Sequence, residues 1–399
     1  MAKIIVFITT FVTMNTLFLL PVFAQTSPSA PVISSQSAVM IDADNGSILY
    51  EKNSTIPMYP ASLTKIATAI YAIENGDLDN KVTVSENAVD IEGTTVFLEA
   101  GEQLTLRKLI QGLLINSGND AGIAIAEHLS GSVNQFAEDL NNYLKNKIGV
   151  EQTHFENPHG LFHPDHTTTA KDLAMITKYA LKNREFRDIF GTVEMEWHGK
   201  SWDTTLISHH KMLKGEIPFA GVAGGKTGYV DQSGHTLATL AKREHLNLIV
   251  ITMQSPYKRE AYQDTASLLN YGFDHFETTT IKGLSKKDLS KVDFNNKEFI
   301  IPENLTYTHL KNQDKVTKKM TKEGKLELYN QNGERINSYQ LVEAGSDQED
   351  KKTEPVKKEE TSKSGIYVTS LMAGVIIAGF IGFVYRKKRI QKNSYRSFM

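Results

Sequence analysis

Twenty consecutive uncharged residues, Ile366 to Tyr385, place the tightest limit on how this chain can be arranged. At 1.5 Å per residue, a helix of that length crosses a hydrocarbon core of ~30 Å. Arg386-Lys387-Lys388-Arg389 follows at once, with Lys392 and Arg396 beyond. Basic residues stay on the cytoplasmic side, so the pattern predicts a single span with the C-terminus inside and the main body outside. The other end agrees. Met1 to Ala24 holds one charge, Lys3, then an apolar run through Leu20, and closes on Val22-Phe23-Ala24 as a cleavage site. This reads as a secretory signal peptide, with the mature chain starting near Gln25.

Charge and composition narrow the function classes. Removing the six basic residues of the tail and Lys3 from the formal net charge of −2 leaves −9 over residues 4–385. An acidic outer portion argues against nucleic-acid binding, which needs a basic footprint. The chain has no cysteine, which excludes disulfides, thiolate metal sites and a cysteine nucleophile. Between residues 346 and 364, eleven of nineteen side chains are charged. Such a segment cannot bury enough surface to fold and reads as a flexible stem above the membrane.

About 320 residues lie between signal and stem. Val39 to Glu51 reads as a hairpin, with Asn45-Gly46 between two alternating apolar runs. Helical patterns follow over Ser62–Glu74 (closed by Gly76), Leu104–Ile115, Asn119–His128, Val133–Lys147 and Lys171–Leu181. Thr169 with Asp172 makes a capping-box start for the last. Strand patterns cover Ala220–Tyr229, Thr236–Arg243 and Leu246–Met253, and a helix runs over Glu260–Tyr271. A strand pair, a helical block and further strands, in that order, suggest one sheet assembled from both ends of the sequence with helices packed on it. Residues from about Thr278 to Gly345 show short apolar alternations and read as a small all-β domain.

Three short motifs carry chemistry. In Ser62-Leu63-Thr64-Lys65, behind Pro60-Ala61, a spacing of three puts Lys65 one helical turn from Ser62 and on the same face. A serine needs a base to become a nucleophile. Lys65 can serve if burial and a second cation lower its pKa, and the helix start offers N–H groups to an oxyanion. Ser117-Gly118-Asn119 presents a hydroxyl and an amide between two helices; as plain structure, Gly118 would end one helix and Asn119 begin the next. Lys226-Thr227-Gly228 lies late in a strand behind Gly224-Gly225, an edge on which an extended peptide could pair. Lys226 would be the second cation. Each motif alone is weak.

Together, in this order and behind a signal peptide, they match a set associated with penicillin-binding proteins and serine β-lactamases. From Ala38 to Phe276 the chain resembles the low-molecular-mass penicillin-binding proteins that are D-alanyl-D-alanine carboxypeptidases. The likeness includes Tyr59 to Lys65, Asn116 to Ala121, Asn157-Pro158-His159-Gly160-Leu161 and Thr168 to Ala174. The resemblance implies an α/β (α+β) penicillin-binding-protein-like catalytic domain, its antiparallel sheet flanked by helices, then a small all-β domain and one transmembrane helix. The expected division is 1–24 signal, 25–277 catalytic domain, 278–345 β domain, 346–364 stem, 365–385 span and 386–399 tail. It also implies roles: Ser62 forms the acyl-enzyme, Lys65 takes its proton, and Ser117 relays a proton to the leaving D-alanine. Asn119 orients the substrate amide, and Lys226 and Thr227 hold the terminal carboxylate region. Backbone N–H groups of Ser62 and Tyr229 form the oxyanion hole, and Gly228 and Tyr229 belong to the substrate-binding strand. The implied partners are peptidoglycan stem peptides, and β-lactams as covalent inhibitors. Similar enzymes usually carry Thr or Ser where Val230 stands and often an acidic residue near Ala223.

Alternatives on the same motifs are a β-lactamase, a transpeptidase or endopeptidase, and a non-catalytic sensor of wall peptides. No glutamate on a matching loop supports the first. No metal or cofactor is expected: His163-Pro164-Asp165-His166 and His209-His210 lack the spacing of a helical zinc site and read as loop and surface residues. Ser370, Gly374, Ala378 and Gly382 form a small-residue stripe that would allow a weak homodimer through the span.

Overall fold

A computed structural model describes residues 28–343, apart from 245, 282–298, 301–304, 312–315, 331–332 and 334. The expected signal peptide, stem, span, tail and span-mediated dimer lie outside the described residues. Among the described residues, no helix is long and apolar enough to cross a membrane.

The main sheet begins with β1 (Ser37–Asp42) and β2 (Ile48–Lys52). A helical and loop-rich block follows. It holds α1 (Thr64–Asn75), β3 (Lys81–Thr83), α2 (Glu86–Val89), β4 (Gln103–Thr105), α3 (Leu106–Ile115), α4 (Asn119–Ser130) and α5 (Val133–Tyr143). Then come α6 (Ala170–Ala180), α7 (Arg184–Phe190), β5 (Glu194–His198) and β6 (Asp203–Ile207). The chain returns through β7 (Val222–Val230), β8 (Gly234–Arg243), β9 (Leu246–Ser255) and α8 (Lys258–His275). The main sheet has the order β2-β1-β9-β8-β7, with every neighbouring pair antiparallel. The two ends of the sequence thus meet between β1 and β9, as the order of patterns implied.

Both faces of the central strands are covered, so β1 and β9 read as continuous apolar runs. Val39, Ile41, Ile249 and Ile251 face the helical block and share one core with Leu63, Ile66, Leu109 and Leu173. Ala38, Met40, Leu248 and Val250 face the other way, onto Leu268 and Leu269 of α8. Each fully buried aliphatic side chain contributes roughly 1.5–3 kcal/mol of transfer free energy.

Several local expectations need correction. Leu104 belongs to β4, because its strand pairs with β3 before the helix starts. Gly76 ends α1 in an extended conformation and not a left-handed one. Thr169 does cap α6 by accepting from Asp172 N. The Asp172 carboxylate, however, turns outward to Gln152 N and Thr153 Oγ1, so the box is only half formed. The Val133–Lys147 pattern divides into α5 and a wider-wound turn over Leu144–Ile148.

Beyond α8 the regular elements among the described residues are strands: β10 (Phe276–Thr280), β11 (Phe299–Ile300), β12 (Thr306–Leu310), β13 (Thr317–Met320), β14 (Lys325–Tyr329), β15 (Arg335–Gln340) and β16 (Val342–Glu343). They form small antiparallel sheets around Tyr307, Leu326, Leu328 and Leu341. The β1–β2 turn docks on them: Thr308 N donates to Ser47 Oγ at 3.0 Å, and Asn45 Nδ2 to Thr308 Oγ1 at 2.9 Å.

Candidate active site

Ser62 sits in a single 3-10 turn, Ala61–Leu63, that runs straight into α1. The turn is strained. Ala61 has φ +48°, a region that non-glycine residues seldom occupy. Three contacts hold it. Thr64 Oγ1 donates to the Ala61 carbonyl at 2.9 Å, Thr236 Oγ1 donates to the Pro60 carbonyl at 3.0 Å, and buried Leu63 anchors the following residue. Gly160 crosses directly over it at φ +89°; a Cβ there would stand 1.9 Å from the Ala61 oxygen, so only glycine fits. Gly228 of β7 approaches from the other side, with its missing Cβ 2.9 Å from Ser62 N.

Lys65 is fully buried. Its Nζ lies 2.9 Å from Ser62 Oγ, 2.7 Å from Asn119 Oδ1 and 3.0 Å from the His159 carbonyl. The last two oxygens can only accept, whereas a hydroxyl can give or take a proton. A neutral Lys65 therefore spends its two N–H groups on Asn119 and His159 and turns its lone pair to the Ser62 O–H. Burial holds the Lys65 pKa well below its ordinary value, and the Lys226 charge adds to this while Asp120 opposes it. Both expected causes, burial and a second cation, are present, and burial is the larger.

Ser117 and Lys226 form the second pair. Lys226 Nζ donates to Ser117 Oγ at 2.9 Å and to the Thr227 carbonyl at 2.8 Å, and burial pushes its pKa down to about 7. Between α3 and α4 the left-handed residue is Ser117, at φ +66°, and not Gly118, which has φ −60°. Gly118 is needed for room instead, because its Cβ would lie 2.9 Å from Asp120 Oδ1. Asn119 donates through Nδ2 to the Glu92 carbonyl at 2.7 Å, keeping one amide proton for other partners. Buried Asp120 accepts from Val96 N at 3.0 Å and Leu98 N at 3.1 Å, so α4 clamps the loop before β4 against the site. Burial raises its pKa while these N–H groups lower it.

These pairs open on one cleft of about 540 Å³, lined by Ser62, Ser117, Thr227, Gly228 and Tyr229. The Tyr229 ring lies 4.6 Å from that of His235, and its hydroxyl donates to Asp231. All eight residues named from the sequence therefore converge: Lys65, Asn119 and Lys226 lie behind the five that line the cleft. Sequence reasoning missed Thr94, His209 and His235 on the walls, and the His159 carbonyl, Thr64 and Asp120 behind them. It also placed two histidines wrongly. His166 and His210 are each 1% exposed, not surface residues. His210 Nε2 pairs with Thr239 Oγ1 at 2.9 Å under β8, and His166 faces Thr64. Among the described residues, Glu156, His163 and Asp165 bring ligand-type atoms within 4.8 Å of one another at the surface.

Buried neutral histidines make the fold acid-sensitive. Burial first, and lysine charges for His209, hold His210 and His166 at about 3 and His209 at about 4. An unfolded histidine titrates near 6.5. Between pH 6.5 and about 3 the unfolded chain therefore binds more protons, and stability falls as pH falls. The urea midpoint is expected to drop steadily between pH 7 and pH 4.5, and less steeply in His210→Gln. A midpoint flat across that range would refute this.

Residues 24–256 match the family model of the D-alanyl-D-alanine carboxypeptidases, peptidase family S11. The D-alanyl-D-alanine carboxypeptidase DacF of Bacillus subtilis is 34% identical over 252 residues, covering 61% of this chain and 63% of that protein. DacA of Haemophilus influenzae is 31% identical over 295 residues, 69% of this chain and 70% of its own. Penicillin-binding protein 6B of Escherichia coli superimposes with a TM-score of 0.63 at 27% identity, over 79% of this chain and 97% of the other. The strained Ser62 turn, the two lysine–serine pairs and a family match over more than half the chain agree: this chain belongs to the D-alanyl-D-alanine carboxypeptidase family of serine peptidases.

Proposed function

We propose that the chain removes the terminal D-alanine from peptidoglycan pentapeptides through an acyl-serine, acting from outside a membrane that its C-terminal span anchors. The observation that carries the reading is Ser62 Oγ at 2.9 Å from the Nζ of a fully buried lysine. Neutral Lys65 takes the Ser62 proton as Oγ attacks the penultimate D-alanine carbonyl. The proton passes by Ser117 to the departing amine, the C–N bond breaks, and D-alanine leaves. Water then attacks the ester with Lys65 again as base, restoring Ser62 and releasing the shortened peptide. Lys226 keeps Ser117 oriented and draws the substrate's terminal carboxylate toward Thr227. Ser62 N, beside Gly228, and Tyr229 N receive the oxyanion.

A β-lactam presents a carbonyl to the same serine and is held as a stable ester. Among the described residues the cleft walls carry no carboxylate, which favours a slow return of that ester to solvent over β-lactamase turnover. The signal peptide and the basic tail support an extracytoplasmic catalytic domain. The test is D-alanine release by the full chain in detergent from a pentapeptide ending in D-alanyl-D-alanine. Release is expected in proportion to enzyme. Covalent penicillin uptake without any release would sink the carboxypeptidase reading and leave a sensor or a transpeptidase lacking its acceptor.

A further inference from the structure

We infer that His166 is a positioning residue for acylation, holding Ser62 in line through a buried hydrogen-bond relay that ends on the strained Ala61 turn. The inference rests on the acyl-serine reading above. His166 touches neither Ser62 nor the cleft; it acts on the backbone one residue before the nucleophile.

The relay has one direction. Glu156 N donates to His166 Nδ1 at 2.9 Å, so Nδ1 holds a lone pair and Nε2 carries the proton. His166 Nε2 lies 2.8 Å from Thr64 Oγ1. Thr64 commits its own proton to the Ala61 carbonyl at 2.9 Å, so its oxygen must accept from the imidazole. Each of the three bonds along Glu156, His166, Thr64 and Ala61 thus has one donor and one acceptor. The imidazole also stacks on Phe155, with centroids 4.8 Å apart and planes 20° from parallel. His166 is 1% exposed and Thr64 fully buried, so the bond between them lies out of bulk solvent.

Protonation would set a second N–H against the Glu156 N–H. The ring is thus kept neutral and takes no part in proton transfer. Its work is mechanical. Ala61 is held at φ +48°, a conformation that persists only where surroundings over-determine it. Gly160 leaves room for the Ala61 carbonyl on one side, and the relay fixes that carbonyl's direction. Without the relay the turn can relax, and Ser62 Oγ leaves its place 2.9 Å from Lys65 Nζ. A displacement near 1 Å in such a geometry costs on the order of 10²-fold in rate.

The experiment uses the full chain in detergent, a fluorescent penicillin for the acylation rate, a D-alanyl-D-alanine pentapeptide for kcat and KM, and thermal unfolding as the check on folding. Thr64→Val keeps the shape and removes the relay oxygen; His166→Ala removes its donor. Each is expected to slow acylation about 10- to 100-fold, lowering kcat with KM changed less than about twofold. The double variant should be no slower than the slower single one, because both break the same relay. Thr64→Ser, which retains the hydroxyl, should recover most of the rate. Acylation at the wild-type rate in folded Thr64→Val would overturn the inference, as would fully additive losses or a Thr64→Ser as slow as Thr64→Val. A wild-type chain that fails to label at Ser62 would instead overturn the acyl-serine reading, and the positioning role with it.

Discussion

Ser62→Ala is expected to lose D-alanine release and covalent penicillin labelling together. Removing a serine nucleophile from a comparable hydrolytic site costs up to about 10⁶-fold in kcat, and residual activity comes from binding and oxyanion donors alone. Here the loss should be at least on the order of 10⁴-fold, because the lysine of the second pair has its own partners. Lys226 Nζ is committed to Ser117 Oγ and the Thr227 carbonyl. Ser117 could attack only by leaving that bond and its strained position at φ +66°. The fold should survive. Lys65 loses one partner of three and keeps Asn119 Oδ1 and the His159 carbonyl, so unfolding should move by about 1 kcal/mol or less. Mass spectrometry of the penicillin adduct, beside initial rates of D-alanine release, checks both halves. A Ser62→Ala protein that still forms the adduct would place the nucleophile elsewhere.

The limits of the sequence are physical and can be traced residue by residue. The β1–β2 hairpin was legible because Asn45-Gly46 separates two short apolar alternations, and β9 because burial of both its faces leaves the apolar run Leu248 to Ile251. Ser62 and Lys65 were legible because a spacing of three is fixed by helix geometry alone. The β5–β6 hairpin was not read, although Glu194-Met195-Glu196-Trp197-His198 alternates: each strand has one fully buried side chain, Trp197 or Leu206, and polar residues flank it. His163 and His166 looked alike as residues of one loop. They differ because an isolated bridge between Met58 and Thr168 draws the chain after His166 against the nucleophile turn. That contact joins residues over a hundred positions apart, and no local pattern announces it. The strain at Ala61 and Ser117 is hidden for the same reason. Neither residue type favours a left-handed backbone, so tertiary contacts, not propensity, impose it.

Lys65→Arg should be as inactive as Lys65→Ala. Both are expected to lose about 10³-fold or more of the acylation rate, the upper range of what a positioned general base supplies. The two variants fail for different reasons, and this gives the comparison its force. Alanine removes the base and leaves Asn119 Oδ1 and the His159 carbonyl facing a void. Arginine restores positive charge and N–H donors but cannot surrender a proton near neutral pH. If position 65 acted only as a cation, the Lys65→Arg enzyme would recover much of the rate. The wild-type rate should rise with pH as Lys65 loses its proton, and the limb should lie well below the ordinary lysine range, since burial and Lys226 both favour the neutral form. Lys226 itself is pushed down to about 7, so the observed limbs belong to the pair and not to either residue. Stopped-flow acylation by a fluorescent penicillin, from pH 5 to pH 10, separates these cases. A Lys65→Arg enzyme within tenfold of wild type would remove Lys65 as the base. The Ser117–Lys226 pair, already 2.9 Å apart, would then be the remaining route for the Ser62 proton.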